Sequence, residues 1–451
     1  MKPSKRFALM TLAATMALAG VFIFGIQSRS WSAAAIRSHK GVSKPLIAKQ
    51  WPSTYEKSLT LDIGSSDMLK PEEAGNKKVA SEAPTGFDNL TNGYLGQDLF
   101  DKNQSIFEEV ETVEEGLGPT YNAQSCKECH QNVVTGGGSQ ITELRTGRLV
   151  RGRFFNSMGG TVIQSRAIHP DIVERAGPKD NLSTFRISLN TLGDGFVECI
   201  ANDTLLAIRD AQPRGMRGDA LMVPVIEAAN GIRIGRFGWK SQHASLVSFS
   251  ADAYLNEMGI TSPLFPVENP SNGTPVDDFD LVDDPEDEDG ADVTAFADFM
   301  RSTKAQSRGP ITDEVNSGEK LFNQIGCAVC HVPSIVTAPP GTTINAGAFT
   351  VPNALGNKII RPYSDFLLHD IGTGDGIPVQ PIPQYAFTAN KMRTAPLWGL
   401  RTRNRLMHDG LAFTLQDAIQ RHAGQAAGVA HQFDRLPKQD QQKVLAFLGS
   451  L

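Results

Sequence analysis

Two pentapeptides, "CKECH" at 126–130 and "CAVCH" at 327–331, each place two thiols and an imidazole within five positions. Covalent attachment of a c-type haem needs this spacing. Cys126 with Cys129, and again Cys327 with Cys330, would form thioethers with the porphyrin edge, while His130 and His331 bind iron axially. Other uses of paired cysteines fit less well. A zinc site wants four close ligands, and the two pairs lie about 200 residues apart. A thioredoxin-like dithiol has no need of the histidine and seldom appears twice. The pentads therefore imply two covalently bound c-type haems. The remaining cysteine, Cys199 in "FVECIAND", has apolar neighbours and reads as a buried free thiol without a role.

A haem iron takes a sixth ligand or keeps that position open. Seven histidines lie outside the pentads, and His422 stands out among them by position. In "FTLQDAIQRHAG", Thr414 can cap a helix on which Leu415, Ala418, Ile419 and His422 share one apolar face. The imidazole then points inward, where it meets either an iron or a backbone partner.

The elements that must position these residues give a mainly α fold: two cytochrome c-like haem domains with extra loops and a few short strands. With 451 residues, 40% hydrophobic and 20% charged, the chain can fold around more than one core. A net charge of −6 argues against nucleic acid as a partner. Residues 1–35 carry three positive charges in "MKPSKR", an uncharged apolar run over 7–26 and small residues in "SRSWSAAA". They read as a signal peptide or as an uncleaved membrane anchor, and either sends the chain to the periplasm. Residues 36–84 are a polar extension, 85–265 the first haem domain, 266–293 an acidic linker and 294–451 the second haem domain. Helices are expected over "VTAFADFMRS" and over "SGEKLFNQIG", the latter capped by Ser317. The runs "GRLVRGRFF", "TFRISLN" and "GIRIGRFG" suit short strands. The linker acids lack the ordered ligand spacing of an EF-hand loop, which leaves calcium a minor candidate there.

Six motifs, in order, carry a resemblance: "GLGPTYNAQSCKECH", "GRFGWK" followed by "ASLVSFSADAYLNEMGIT", "GCAVCH", "LLHDIG", "RTAPLWGLRTRNRLMHDGLAFTLQDAIQRHAG" and the closing "KVLAFLGSL". From about residue 90 to the end the chain resembles the di-haem oxidoreductase family of peroxidase-like proteins, some of them labelled thiol oxidoreductases. More distantly it is similar to bacterial di-haem cytochrome c peroxidases and to the di-haem enzyme that matures the tryptophan tryptophylquinone of methylamine dehydrogenase. The resemblance implies an N-terminal haem where peroxide reacts, a C-terminal haem that relays electrons, and a small redox protein as donor. It also implies roles for particular residues. The relay-haem ligand of the relatives lies fourteen positions after the His of an "HDG" turn, and from His408 that count reaches His422. Glu257, in "AYLNEMG", corresponds to the glutamate that moves protons at the reactive haem. Trp239, in "RFGWK", corresponds to the tryptophan between the haems, with Trp398 as the competing candidate.

The departures are specific. Phe249 stands where the relatives have a glutamine ten residues after that tryptophan, and Thr146 where peroxidases have a removable distal histidine. His169 or His243 could approach the first haem instead, or its distal side could stay open. The resemblance brings in calcium as a third cofactor, with Arg403 and Arg405 at the positions where the relatives bind it. Three functions fit: a peroxidase-like oxidoreductase, an electron-transfer cytochrome with no substrate, and an oxidase that modifies a partner protein. An open first haem separates the first from the second.

Overall fold

The computed structural model describes residues 79–451 apart from residue 381. The signal or anchor segment and nearly all of the 36–84 extension lie outside the described residues. Among the described residues no helix is long and apolar enough to cross a membrane.

Helices and many short strands alternate with long loops. The helices are α1 (Gln97–Glu108), α2 (Cys126–Cys129), α3 (Asp194–Glu198), α4 (Asn202–Ala211), α5 (Leu246–Ala253), α6 (Ala291–Ser302), α7 (Asp313–Ile325), α8 (Leu415–Gln420), α9 (Ala427–Arg435) and α10 (Lys438–Leu448). Local signals account for several of their ends. Ser245 caps α5 by accepting from Ser248 N, and Thr414 caps α8 by accepting from Asp417 N. Helix α7 starts earlier than the expected Ser317. Its cap is Thr312, followed by two acids that suit a helix N-terminus, while Ser317 Oγ bonds back to Asp313 O inside the helix at 2.8 Å. Gly326, at φ 101°, ends α7 in a left-handed conformation and turns the chain directly into Cys327.

Two main clusters of buried side chains organise the body. In one, Phe107 of α1 packs edge-on to Phe296 of α6, and Tyr254, just past α5, packs edge-on to the same ring, with centroids 6.0 and 5.0 Å away. Helix α6, from the head of the C-terminal half, thus contributes its apolar face to a core shared with α1 and α5. Cys199 is fully buried in this core and burial raises its thiol, as expected of an inert cysteine. In the other cluster, Phe322 of α7 and Phe447 of α10 meet at 5.1 Å, with Tyr363 against both.

The acidic segment folds onto the body. Val276 is buried, and Asp287 accepts from the backbone N–H groups of Asp292 and Val293 at the start of α6.

One sheet matters for the site. Thr142–Val150 pairs antiparallel with Arg153–Asn156, with Val162–Ile163 and with Leu182–Ile187, setting Glu143 opposite Arg186 and Thr142 opposite Ile187.

Candidate haem sites and the charged bridge between them

Cys327, Cys330 and His331 follow α7 into an apolar cavity whose far wall carries His422. The His331 and His422 ring centroids are 6.3 Å apart. Each ring is fixed by its Nδ1, His331 to Tyr363 O at 3.0 Å and His422 to Ala418 O at 2.7 Å. Both Nε2 atoms are thereby left for a shared partner. The gap suits one metal with nitrogen bonds of about 2 Å on either side once the rings' own radii are added. Burial lowers both imidazoles, His331 to about 4 with His422 as the second cause, so both are held in the neutral form that binds metal. The donors and the apolar walls fit a planar prosthetic group held from both faces.

His369 lies beside this cavity. Its Nε2 meets Asp365 Oδ2 at 2.8 Å and its Nδ1 lies 3.8 Å from Cys330 Sγ. Burial would lower this imidazole, but the Asp365 hydrogen bond and the Cys330 contact raise it to about 10.

The first pentad starts on α2, capped by Ser125, and His130 Nδ1 faces Gly137 O at 3.3 Å. The loop before it docks on the chain after α5. Asn122 N and Ala123 N both donate to Glu257 O, at 2.7 and 3.1 Å, and Gly118 N donates to Met258 O. A side chain at Gly118 would collide with the backbone of Gly259, so the close approach requires glycine. Glu257 lies on a π turn, Tyr254–Met258, rather than on a continued α-helix, which shifts its phase relative to Leu246 and Phe249. Its Oε2 accepts from Asn122 Nδ2 at 2.9 Å. Burial, and then the neighbouring Glu143 carboxylate, push Glu257 well above the usual carboxylate range. Its charge also acts on the Cys129 thiol, which burial and Glu257 raise to about 12.

Trp239 lines the second cavity, donates from Nε1 to Ile187 O at 2.7 Å and packs edge-on to His408 at 6.1 Å. Trp398 is buried in the first hydrophobic core. Phe249 stacks on Phe237 at 5.9 Å and also meets the His243 ring. His243 is buried, with Nε2 at 3.1 Å from Asp252. His169 is on the surface, where its Nδ1 accepts from Asp171 N and its ring rests on Phe279. Thr146 is fully buried and bonds to Ser157.

Sequence reasoning missed a run of charged groups that extends from Glu143, which acts on Glu257, to Asp375, which acts on His408 at the second cavity. Glu143 pairs with Arg145 on its own strand, Arg186 stands opposite Glu143, and Asp375 bonds both Arg186 (2.7 Å) and Lys240 (2.9 Å). The alternation in "TELRTG", which puts Glu143 and Arg145 on one strand face, was the available signal. Away from these sites, Glu268, Asp280, Asp284 and Glu286 of the acidic segment bring carboxylate oxygens within 4.8 Å of one another. Arg403, at a position where the relatives bind calcium, is partly buried and its Nη2 donates to Pro396 O.

Two Cys-x-x-Cys-His sequences, one of them facing a second imidazole across an apolar cavity, fit planar metal cofactors of a redox protein. The chain belongs to the family described as "Di-haem oxidoreductase, putative peroxidase", which matches residues 160–451 and brings two haems as its cofactors. The match begins later than the motif resemblance, which starts near residue 90, and leaves the first pentad outside it.

Among solved structures, the chain is similar to hydrazine synthase from Kuenenia stuttgartiensis pressurised with xenon (13% identity, TM-score 0.37, covering 94% of this chain and 100% of that one). It is also similar to a MauG-like protein associated with microbial copper homeostasis (14%, 0.39, 84% and 94%). A third is the dihaem peroxidase BthA from Burkholderia thailandensis (14%, 0.36, 84% and 95%). No curated protein matches the chain.

Proposed function

We propose that this chain is an exported di-haem c-type oxidoreductase that reduces peroxide at the first site with electrons relayed through the second. The observation that carries the reading is the asymmetry of the two sites. At the second, the facing imidazoles of His331 and His422 would hold the group from both sides, which suits electron exchange without substrate binding. The first has His130 and, acting on the Cys129 thiol of the same pentad, the protonatable carboxyl of Glu257.

The haems, when attached through Cys126 and Cys129 and through Cys327 and Cys330, supply the iron at which peroxide is reduced and electrons are stored. The side chains do the rest. Glu257 takes a proton from one peroxide oxygen and returns it to the other, so that peroxide, two electrons and two further protons become two waters. Asn122 orients that carboxyl. Trp239, fixed by Ile187 and in contact with His408 at the wall of the second cavity, serves in this reading as the electron route between the sites, supported by those two contacts. A small redox protein outside the cytoplasm supplies the electrons, and residues 85–265 and 294–451 form the two haem domains.

Phe249 favours a second reading. An aromatic stack replaces the polar group that the resemblance implies, which suits an electron-transfer cytochrome. Glu257→Gln separates the two. Under the peroxidase reading, it slows the reaction with peroxide by about 10² to 10⁴ and leaves both haem spectra and electron exchange between the haems unchanged. An unmodified protein that ignores peroxide, or a variant reacting at the same rate, would favour the cytochrome.

A further inference from the structure

Glu143 comes to Glu257 from a different part of the fold. It is the second residue of the strand Thr142–Val150, while Glu257 is the fourth residue of the π turn after α5. Leu144 pairs with Ile163, and the residues that follow, Gln164 and Ser165, donate to Asn256 O and Asn122 Oδ1 at 3.0 and 2.9 Å, which brings Glu143 close to the turn that carries Glu257, where each carboxyl acts on the other. Glu143 Oε1 is held by Arg145 at 2.8 Å in a pair only 16% and 13% exposed (arginine, then glutamate). Its other oxygen, Oε2, is buried without a hydrogen-bond donor among the described groups, an arrangement that costs free energy unless a proton is supplied. Glu257 Oε2 is already occupied by the Asn122 amide. Two carboxylates in contact cannot both ionise cheaply, and a proton on one of them gives the other the donor it lacks.

We propose that Glu143 is the positioning partner of Glu257: the two carboxyls hold one proton between them, and Glu143 sets the protonation state in which Glu257 works. Groups facing the pair fix where the charge rests. Arg145 and Arg186 favour ionisation of Glu143, so the shared proton resides mainly on Glu257. Asp252 adds negative charge near Arg145, and the Cys129 thiol lies within the electrostatic reach of Glu257. When the proton passes to Glu143, Glu257 presents an oxygen that accepts. When it returns, Glu257 presents an O–H that donates. The inference rests on the peroxidase reading for its use, but the shared proton itself does not depend on peroxide.

Infrared difference spectroscopy of the resting holoprotein tests it. The spectrum of the unmodified protein minus that of Glu257→Gln should contain, at neutral pH, the carbonyl stretch of one protonated carboxylic acid. In Glu143→Gln the same band should titrate away at lower pH, with a proton affinity at least about tenfold weaker, because a like charge has gone and Arg145 is freed to act on Glu257. If peroxide is consumed, the pH profile of its reaction should move the same way. Absence of the acid band in the first comparison overturns the pair whether or not Glu143→Gln folds. An unchanged titration in Glu143→Gln, with both haem spectra intact, makes Glu143 a bystander. A protein that shows the predicted band shift yet ignores peroxide keeps the pair and loses the peroxidase reading.

Discussion

Replacing Asp375 with Asn would break the charged bridge between the sites. The Asp375 side chain is fully enclosed and faces Arg186 and Lys240, whose side chains are 6% and 2% exposed. Burial alone would raise this carboxyl, but Arg186 and then Lys240 bring it down to about 2 from 3.8. That displacement corresponds to about 2.4 kcal/mol of stability. Because the folded value is depressed, the contribution is complete above pH 4 and disappears as pH falls through 2.

The opposite end of the pair moves differently. Burial lowers Lys240 to about 8, outweighing the upward pull of Asp375, since a single carboxylate shared with Arg186 does not replace water around an ammonium. Asparagine removes the charge, leaving buried Arg186 without its bonded counter-ion and with only Glu143, across the sheet and already paired with Arg145, to offset it. Lys240 fares better, because Thr388, Ala389 and Lys391 offer it backbone carbonyls at 3.1, 2.9 and 2.8 Å. Removing one partner of a buried pair typically costs about 3–5 kcal/mol, which sets the expected loss at neutral pH. Urea denaturation of the holoprotein should show the midpoint falling by on the order of 1 M. The difference from the unmodified protein should shrink toward pH 2. A loss under about 1 kcal/mol, or one independent of acid, would refute the argument by showing that water or other acceptors already satisfy Arg186.

Other substitutions reach the remaining parts of the account. His422→Ala should turn the second haem from low-spin to high-spin with both thioether attachments intact, and an unchanged optical spectrum would move the ligand elsewhere, with His408 as the next candidate. Phe249→Gln should raise the rate with peroxide by supplying a polar group, while lowering thermal stability through loss of the stack on Phe237. Intact-mass measurement of the mature protein should give two covalent haems and loss of the first thirty-odd residues, and a single haem would remove one of the two proposed sites.

The pentads were readable because their chemistry is confined to five consecutive residues. The same is true of Thr414, whose cap depends on a neighbour three residues on. Ser317 misled because a serine before an apolar stripe resembles a cap, whereas the Thr312-Asp313-Glu314 run one turn earlier carries the stronger N-terminal electrostatics. The placement of Glu257 on a π turn depends on docking against the Gly118 loop, which no local pattern records. Glu143, Arg186, Lys240 and Asp375 come from separate strands and loops, so only the sheet register and tertiary folding bring them together. The acidic segment read as solvated because its composition is polar, but Val276 and the Asp287 cap fasten it to the body.

The most direct test of the account is electron paramagnetic resonance of the oxidised holoprotein before and after peroxide is added. Two different sites predict two signals: a low-spin signal from the His331/His422 haem, and a signal from the His130 haem that responds to peroxide and to small anions. Two low-spin signals, both indifferent to peroxide, would contradict the asymmetry on which the proposed function stands.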